Sequence, residues 1–359
     1  MTNTSVVLLT LFSFVSNNRT TAPESPLLDQ YDNKSSIVID SIENPAYEGH
    51  YIYLYLPKSN CTIPYKTIFF CHGIGASNPI YYNALLEHIA SSGYAVIYST
   101  YPGYFLFPKK SYRILWNGFQ RGVREWKEYL DLSQIGFVGH SYGASAIPSL
   151  SLKAIKLKRW GKKNIFLYMM APWYINQLSN RQLKRFPQHV KVVTEVFQDD
   201  RINDPQIARE FYSAIRAPDT NKVFITLQNK DNYFTVTADH DVPLGESDES
   251  ISVNDYDYCG VHFVFDAISS YTFNHNESIK KTMFSTHGDS TIIVKGNQGE
   301  CSMTLSKRPH QENIDHRCIN FWDHPMNPRN ELGFLGTPLR QIILTPVSVV
   351  NYGLLLLLR

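Results

Sequence analysis

Residues 135–146 read IGFVGHSYGASA, and the fold of the whole chain turns on how that stretch is taken. Ile135 to His140 is a short apolar run, which reads as a strand. Ala144 to Ile155 has helical spacing, interrupted near Pro148. Between them stands Gly139-His140-Ser141-Tyr142-Gly143, the G-x-S-x-G pattern with the strand before it and helix after it that it requires. Such a turn is too tight for side chains at the glycines. It strains the backbone at the serine and lifts its hydroxyl clear of the sheet, beside the unpaired N–H groups that begin the helix. Ser141 is the candidate nucleophile.

Working outward, short apolar runs alternate with helical patterns. TIFFCHG from Thr67 is a strand, YYNALLEHIASSG a helix closed by Gly93, YAVIYSTYPG a strand and YRILWNGFQRGVREWKEYL an amphipathic helix. Beyond the serine come the strands NIFLYMMAP, VKVVTEVF and KVFITLQ, with the helix DPQIAREFYSAI between the last two. Upstream, SIVIDSI and YIYLYLP fit an antiparallel pair at a sheet edge. Strands this continuously apolar, alternating with helices, predict an α/β fold with a mostly parallel sheet covered on both faces. Sites in such folds lie beyond the C-terminal ends of the strands.

A serine hydroxyl at neutral pH needs a base to take its proton and an acid to orient that base. In VVTEVFQDDRINDP a strand ends at Asp199-Asp200; Asp200 is the preferred acid, Asp199 the alternative, and Asp204 reads as a helix N-cap. In TADHDVP, His240 follows the last core strand and comes after both serine and acid. His262 and His275 are the other candidate bases among twelve histidines, and Asp231 is a competing strand-end acid. The turn Cys71 to Ser77, CHGIGAS, holds an H-G-x-G pattern whose glycines let N–H groups face a cleft. The N–H of Ile74 with that of Tyr142 would form an oxyanion hole. TYPGYFLFPKKSY and APWYIN follow strand ends and place Tyr101, Tyr104 and Trp173 near the cleft, as walls for an acyl chain or ring.

FFCHGIGAS, GYAVIYSTYPG, IGFVGHSYGAS, TEVFQDDRINDP and TADHDVP, in that order, resemble the α/β-hydrolase superfamily over roughly Thr67 to Pro243. Within it the spacing is most similar to the dienelactone hydrolase, cutinase and platelet-activating-factor acetylhydrolase branch, although dienelactone hydrolases carry a cysteine where this chain has Ser141. The resemblance implies a central sheet with helices on both faces and metal-free hydrolysis through an acyl-enzyme, with no cofactor. The stretch between Pro172 and Val190 is too short for a sizeable lid, so no large cap domain is expected. The leading reading is a serine hydrolase acting on a small-molecule or lipid-like carboxylic ester. An acyltransferase on the same residues, or an inactive binding protein of the same fold, are the alternatives.

The rest of the sequence sets boundaries. Lys and Arg number 34 against 32 Asp and Glu, a net +2, and the charges are scattered, which argues against nucleic acid as a partner. Residues 1–22 read as a signal peptide: Val6 to Val15 is apolar but too short to span a membrane, and the alternative is a buried N-terminal strand. Export gives a secreted or extracytoplasmic protein, the alternative a cytoplasmic one. Asn18, Asn33, Asn60 and Asn276 each begin a glycosylation acceptor triplet. Residues 23–275 read as the hydrolase domain, and 276–359 as a C-terminal extension without an assigned role. Its apolar end, IILTPVSVVNYGLLLLLR, could pack on the body or associate with a membrane. Five cysteines are too few for a disulfide scaffold, and His310, His316, Cys318 and His324 lack a recognised metal-ligand spacing.

Overall fold

The computed structural model of the protein describes residues 5–9, 37–45, 47–58, 63–102, 107–229, 237–245, 254–284, 289–296, 300–310, 314–324 and 327–329. Its strands are β1 (Ser5–Leu9), β2 (Ile37–Glu43), β3 (Tyr51–Pro57), β4 (Tyr65–Cys71), β5 (Ala95–Ser99), β6 (Leu130–His140), β7 (Asn164–Met170), β8 (Lys191–Phe197), β9 (Lys222–Gln228), β10 (Ser290–Lys295) and β11 (Glu300–Ser306). They form one mixed, largely parallel sheet in the order β1-β10-β11-β9-β8-β7-β6-β4-β5-β3-β2. From β5 through β4, β6, β7 and β8 to β9 every neighbour is parallel. Antiparallel pairs flank this block: β2 with β3 and β3 with β5 on one side, β11 with β9 and β10 on the other.

The helices are α1 (Asn83–Ser91), α2 (Pro108–Glu125), α3 (Ser141–Lys153), a short α4 (Asn180–Leu183), α5 (Pro205–Ala214) and α6 (Phe263–Asn274). The period-two alternation of the central strands sends neighbouring side chains to opposite layers. Ile68 and Phe70 join Leu86 and Ile89 of α1 and Val264 and Ile268 of α6 in one core. Phe69 and Cys71 join Leu115 and Phe119 of α2, Ile147 and Leu150 of α3, and Ile207 and Phe211 of α5 in the other. Phe69 alone meets Phe119, Phe137 and Trp160 with ring centroids 5.0, 5.1 and 5.2 Å away. Each such fully buried side chain contributes about 1.5–3 kcal/mol.

The expected fold class holds: the sheet is flanked by helices, and no separate cap domain occurs among the described residues. One detail differs. α3 runs unbroken through Pro148. Its residues from Ser141 to Leu152 are all buried, so packing on every side offsets the one hydrogen bond that the proline cannot make.

The stretch after Asn276 that had no assigned role supplies β10 and β11, which extend the sheet beyond β9. A disulfide joins Cys301 of β11 to Cys259, in the π-helical stretch that leads into α6. Cys71 and Cys318 are buried as free thiols, and Cys61 lies outside the described residues. At the N-terminus, Ser5–Leu9 lies parallel to β10 as an edge strand. Residues 10–36 and the apolar C-terminal run lie outside the described residues. Among the described residues no helix is long and apolar enough to cross a membrane.

Candidate active site

β6 ends at His140 and α3 begins at Ser141, whose φ of 53° lies in the left-handed region. A non-glycine residue held there costs roughly 1–3 kcal/mol and persists only where its surroundings over-determine it. Here the two motif glycines do so by allowing contact rather than by bending. A Cβ on Gly143 would fall 2.1 Å from the carbonyl oxygen of Cys71 and 2.2 Å from that of His72; one on Gly139 would fall 2.7 Å from the Cys71 oxygen. The turn is thus pressed directly against the end of β4. The N–H of Trp173 donates to the Ser141 carbonyl at 3.1 Å and closes the other side.

Beside Ser141 stands His240. Its Nε2 is 2.9 Å from Ser141 Oγ, and its Nδ1 is 2.8 Å from Asp200 Oδ2. All three side chains are buried, so little water competes for these contacts. Asp200 Oδ1 is already occupied, accepting the N–H of Ile202 at 2.7 Å and of Asn203 at 3.0 Å, which turns Oδ2 toward the imidazole. The main-chain N–H of Asp199 donates to the Ala238 carbonyl at 2.8 Å, which draws the histidine loop against the acid loop. Burial disfavours charge on His240, yet Asp200, with Asp241 and Asp239 behind it, outweighs that and raises its pKa above 6.5.

The other candidates are elsewhere. His262 stacks on His88 with centroids 4.3 Å apart, between α6 and α1. His275 takes a left-handed conformation at the C-terminus of α6. Asp231 lies outside the described residues.

Two residues that the sequence did not single out complete the surroundings of Ser141. Asn203 Nδ2 donates to the Ala171 carbonyl at 2.8 Å and lies 3.5 Å from Ser141 Oγ. Its Oδ1 accepts from Asn320 Nδ2 at 2.9 Å. Asn320 arrives on a C-terminal segment that binds the acid loop through its main chain. The N–H groups of Ile319 and Asn320 donate to the carbonyls of Arg201 and Ile202, and the N–H of Asp204 donates to the Asn320 carbonyl. Asn203, three residues after Asp200, lay within a motif already noted; Asn320 carried no signal.

In the turn after β4, the N–H of Gly73 donates to Tyr82 Oη at 2.8 Å and so is not available to a substrate. Ile74, at the turn's tip, is 36% exposed, and Tyr142 stands at the start of α3. Tyr101 is one of the residues expected near the cleft. It is fully buried, its ring stacked on His72 at 4.0 Å and its hydroxyl donating to the His72 carbonyl. A tyrosine that follows a strand end can point into the layer beneath the turn, and this one does. Trp173 packs on Tyr142 at 5.1 Å and is largely buried; Tyr104 lies outside the described residues.

No protein-family model matches the chain. No curated protein matches it either.

Proposed function

We propose that this protein is a serine hydrolase that cleaves a carboxylic ester through an acyl-enzyme. The observation that carries the proposal is the unbroken path from Asp200 Oδ2 through His240 to Ser141 Oγ, at 2.8 and 2.9 Å, on a serine held at φ 53°. Strain of that kind is maintained where geometry serves a function.

In this mechanism His240 Nε2 takes the Ser141 proton as Oγ attacks the ester carbonyl. Asp200 keeps the imidazole in the tautomer that leaves Nε2 free, and stabilises the imidazolium that forms. The N–H groups of Ile74 and Tyr142 receive the oxyanion. His240 then protonates the departing alcohol, and water, activated by the same histidine, releases the acid. A small-molecule or lipid-like ester is the substrate class. The buried Cys259–Cys301 disulfide supports placement in an oxidising, extracytoplasmic compartment, where such bonds persist.

A fluorophosphonate probe tests the proposal, with the modified peptide identified by mass spectrometry. Adduct on Ser141 in the wild type, lost in Ser141→Ala and His240→Ala, is the expected result. Folded wild type that takes no label would overturn it.

A further inference from the structure

Between the oxyanion turn and the nucleophile lies a group of buried rings that the hydrolytic steps do not use. Tyr82 is fully buried. Its Oη accepts the N–H of Gly73 at 2.8 Å and lies 2.9 Å from His140 Nδ1. The Gly73 N–H can only donate, and the Tyr82 hydroxyl has one proton to give. Given to His140 Nδ1, it leaves the His140 imidazole with its own proton on Nε2. Burial, with His240 nearby, keeps that ring neutral by lowering its pKa well below the ordinary histidine value. The ring packs against His240 with centroids 4.6 Å apart, and a hydrogen bond to the His240 main chain opposes part of that lowering.

The same turn is clamped plane by plane. In the peptide between His72 and Gly73, Tyr101 Oη donates to the carbonyl at 2.7 Å and Tyr82 holds the N–H. In the peptide between Gly73 and Ile74, the carbonyl accepts from His72 Nδ1 at 2.7 Å and from the Ala76 N–H at 3.3 Å. Because a trans peptide is planar, fixing that carbonyl aims the Ile74 N–H the opposite way. Tyr82 Oη ties this clamped turn to the strand end carrying Ser141 through a side-chain hydrogen-bonding path, beside the backbone contact of the two turns. A Cβ on Gly73 would lie 3.0 Å from Tyr82 Oη and 3.2 Å from His140 Nδ1, so the three parts are already in contact.

We infer that Tyr82 and His140 are positioning residues that hold the two halves of the oxyanion hole at a fixed separation and seat His240 against them, an inference that rests on the hydrolase reading above. Without the Tyr82 hydroxyl, the turn and α3 are coupled only by packing. The Ile74 N–H then drifts relative to the Tyr142 N–H, and errors of about 1 Å in such geometry cost on the order of 100-fold in rate.

The test compares wild type, Tyr82→Phe, His140→Asn and His140→Leu, each counted by fluorophosphonate titration so that rates refer to active sites rather than to folded mass. A p-nitrophenyl ester gives kcat and KM; a boronic acid, which forms a tetrahedral adduct on serine, reports affinity for the oxyanion geometry. Tyr82→Phe is expected to lower kcat per site about 10- to 100-fold, with KM nearly unchanged and boronate affinity falling by the same factor as kcat/KM. His140→Asn, which keeps an acceptor near Nδ1, should retain more of kcat than His140→Leu. Wild-type kcat per site in Tyr82→Phe, or a loss confined to KM with boronate affinity intact, would overturn the inference. If Tyr82→Phe fails to fold, the Asn and Leu variants decide by the same comparison, and equal kcat in both would overturn it. A wild type that takes no label fails the hydrolase reading itself, a result distinct from all of these.

Discussion

The side-chain oxygen of Asn203 accepts a hydrogen bond from the side-chain nitrogen of Asn320 at 2.9 Å, across 117 positions of sequence. That contact decides which end of the Asn203 amide faces Ser141. With Oδ1 committed to Asn320, Nδ2 is directed to the Ala171 carbonyl and Ser141 Oγ. A neighbour that can only donate leaves the serine hydroxyl no acceptor but His240, so its proton already points along the reaction path. Asn203→Asp is expected to reverse this, setting a carboxylate against a carbonyl and offering Oγ a competing acceptor. Its kcat should fall roughly 100-fold, while Asn320→Ala, which only frees the amide to turn, should lose about 10-fold. Steady-state kinetics on a p-nitrophenyl ester with titrated sites checks both, and the order of the two losses is the decisive feature.

How much of this was legible beforehand follows from what makes a pattern readable. The strands β4 to β9 are largely buried on both faces, so they stand out as continuous apolar runs, and their ends locate Ser141 and the Asp199-Asp200 pair, while His240 is set apart only by following the last of them. β11 alternates buried with half-buried residues over only seven positions, which polar flanks disguise in the sequence. The segment that carries Asn320 has no periodicity at all, because three of its bonds to the acid loop are main-chain ones that any residue types could make. For Tyr101, chain position fixes where its Cα lies but leaves open whether the ring turns to the cleft or to the core.

The pairing of Asp200 with His240 sets a pH dependence whose sign can be worked out. Burial disfavours the charged imidazole, but Asp200 at 2.8 Å raises its pKa above the ordinary 6.5. Catalysis needs the neutral ring, so kcat/KM should rise with pH through a midpoint above 6.5. In Asp200→Asn that midpoint should move downward, and kcat should fall on the order of 10³- to 10⁴-fold. For stability the sign is opposite. The ion pair contributes fully below the unfolded pKa and is lost as pH rises through the raised folded value. pH–rate profiles of the two proteins, taken beside thermal melts over the same range, separate these effects.

The glycines of the two turns should respond differently to a single added methyl. Gly143→Ala places a Cβ 2.1 Å from a backbone oxygen of β4, a clash that only a shift of α3 can relieve. Its cost should exceed about 4 kcal/mol, the extreme end of single-substitution effects. Gly75→Ala meets nothing within 4 Å, but its φ of 81° is unfavourable for any side chain, which puts the cost at about 1–2 kcal/mol. Urea unfolding of both variants measures the difference. Near-equal losses would mean that α3 is not packed against β4 as closely as described.

Glu195 gives the last test, and it concerns the sheet beneath the site. On β8 its carboxyl is fully buried and accepts a hydrogen bond from Tyr168, while Oε1 has no partner. Burial pushes its pKa up to about 8 from 4.5, so the folded protein keeps this proton at neutral pH. The contribution to stability is complete below about 4.5 and disappears as pH rises through about 8, where the fold must either hold an uncompensated buried charge or open. Wild type should therefore lose Tm as pH rises from about 4.5 to about 8, with little further change from this group above that. Glu195→Gln, neutral throughout and able to keep an oxygen toward Tyr168, should lose markedly less over the same interval. Because the Glu195 carbonyl accepts the N–H of Ala171 at 2.8 Å, and the Ala171 carbonyl holds Asn203, the same ionisation reaches the surroundings of Ser141. Activity in the wild type should thus decline at alkaline pH ahead of global unfolding, and that early decline should be absent from Glu195→Gln.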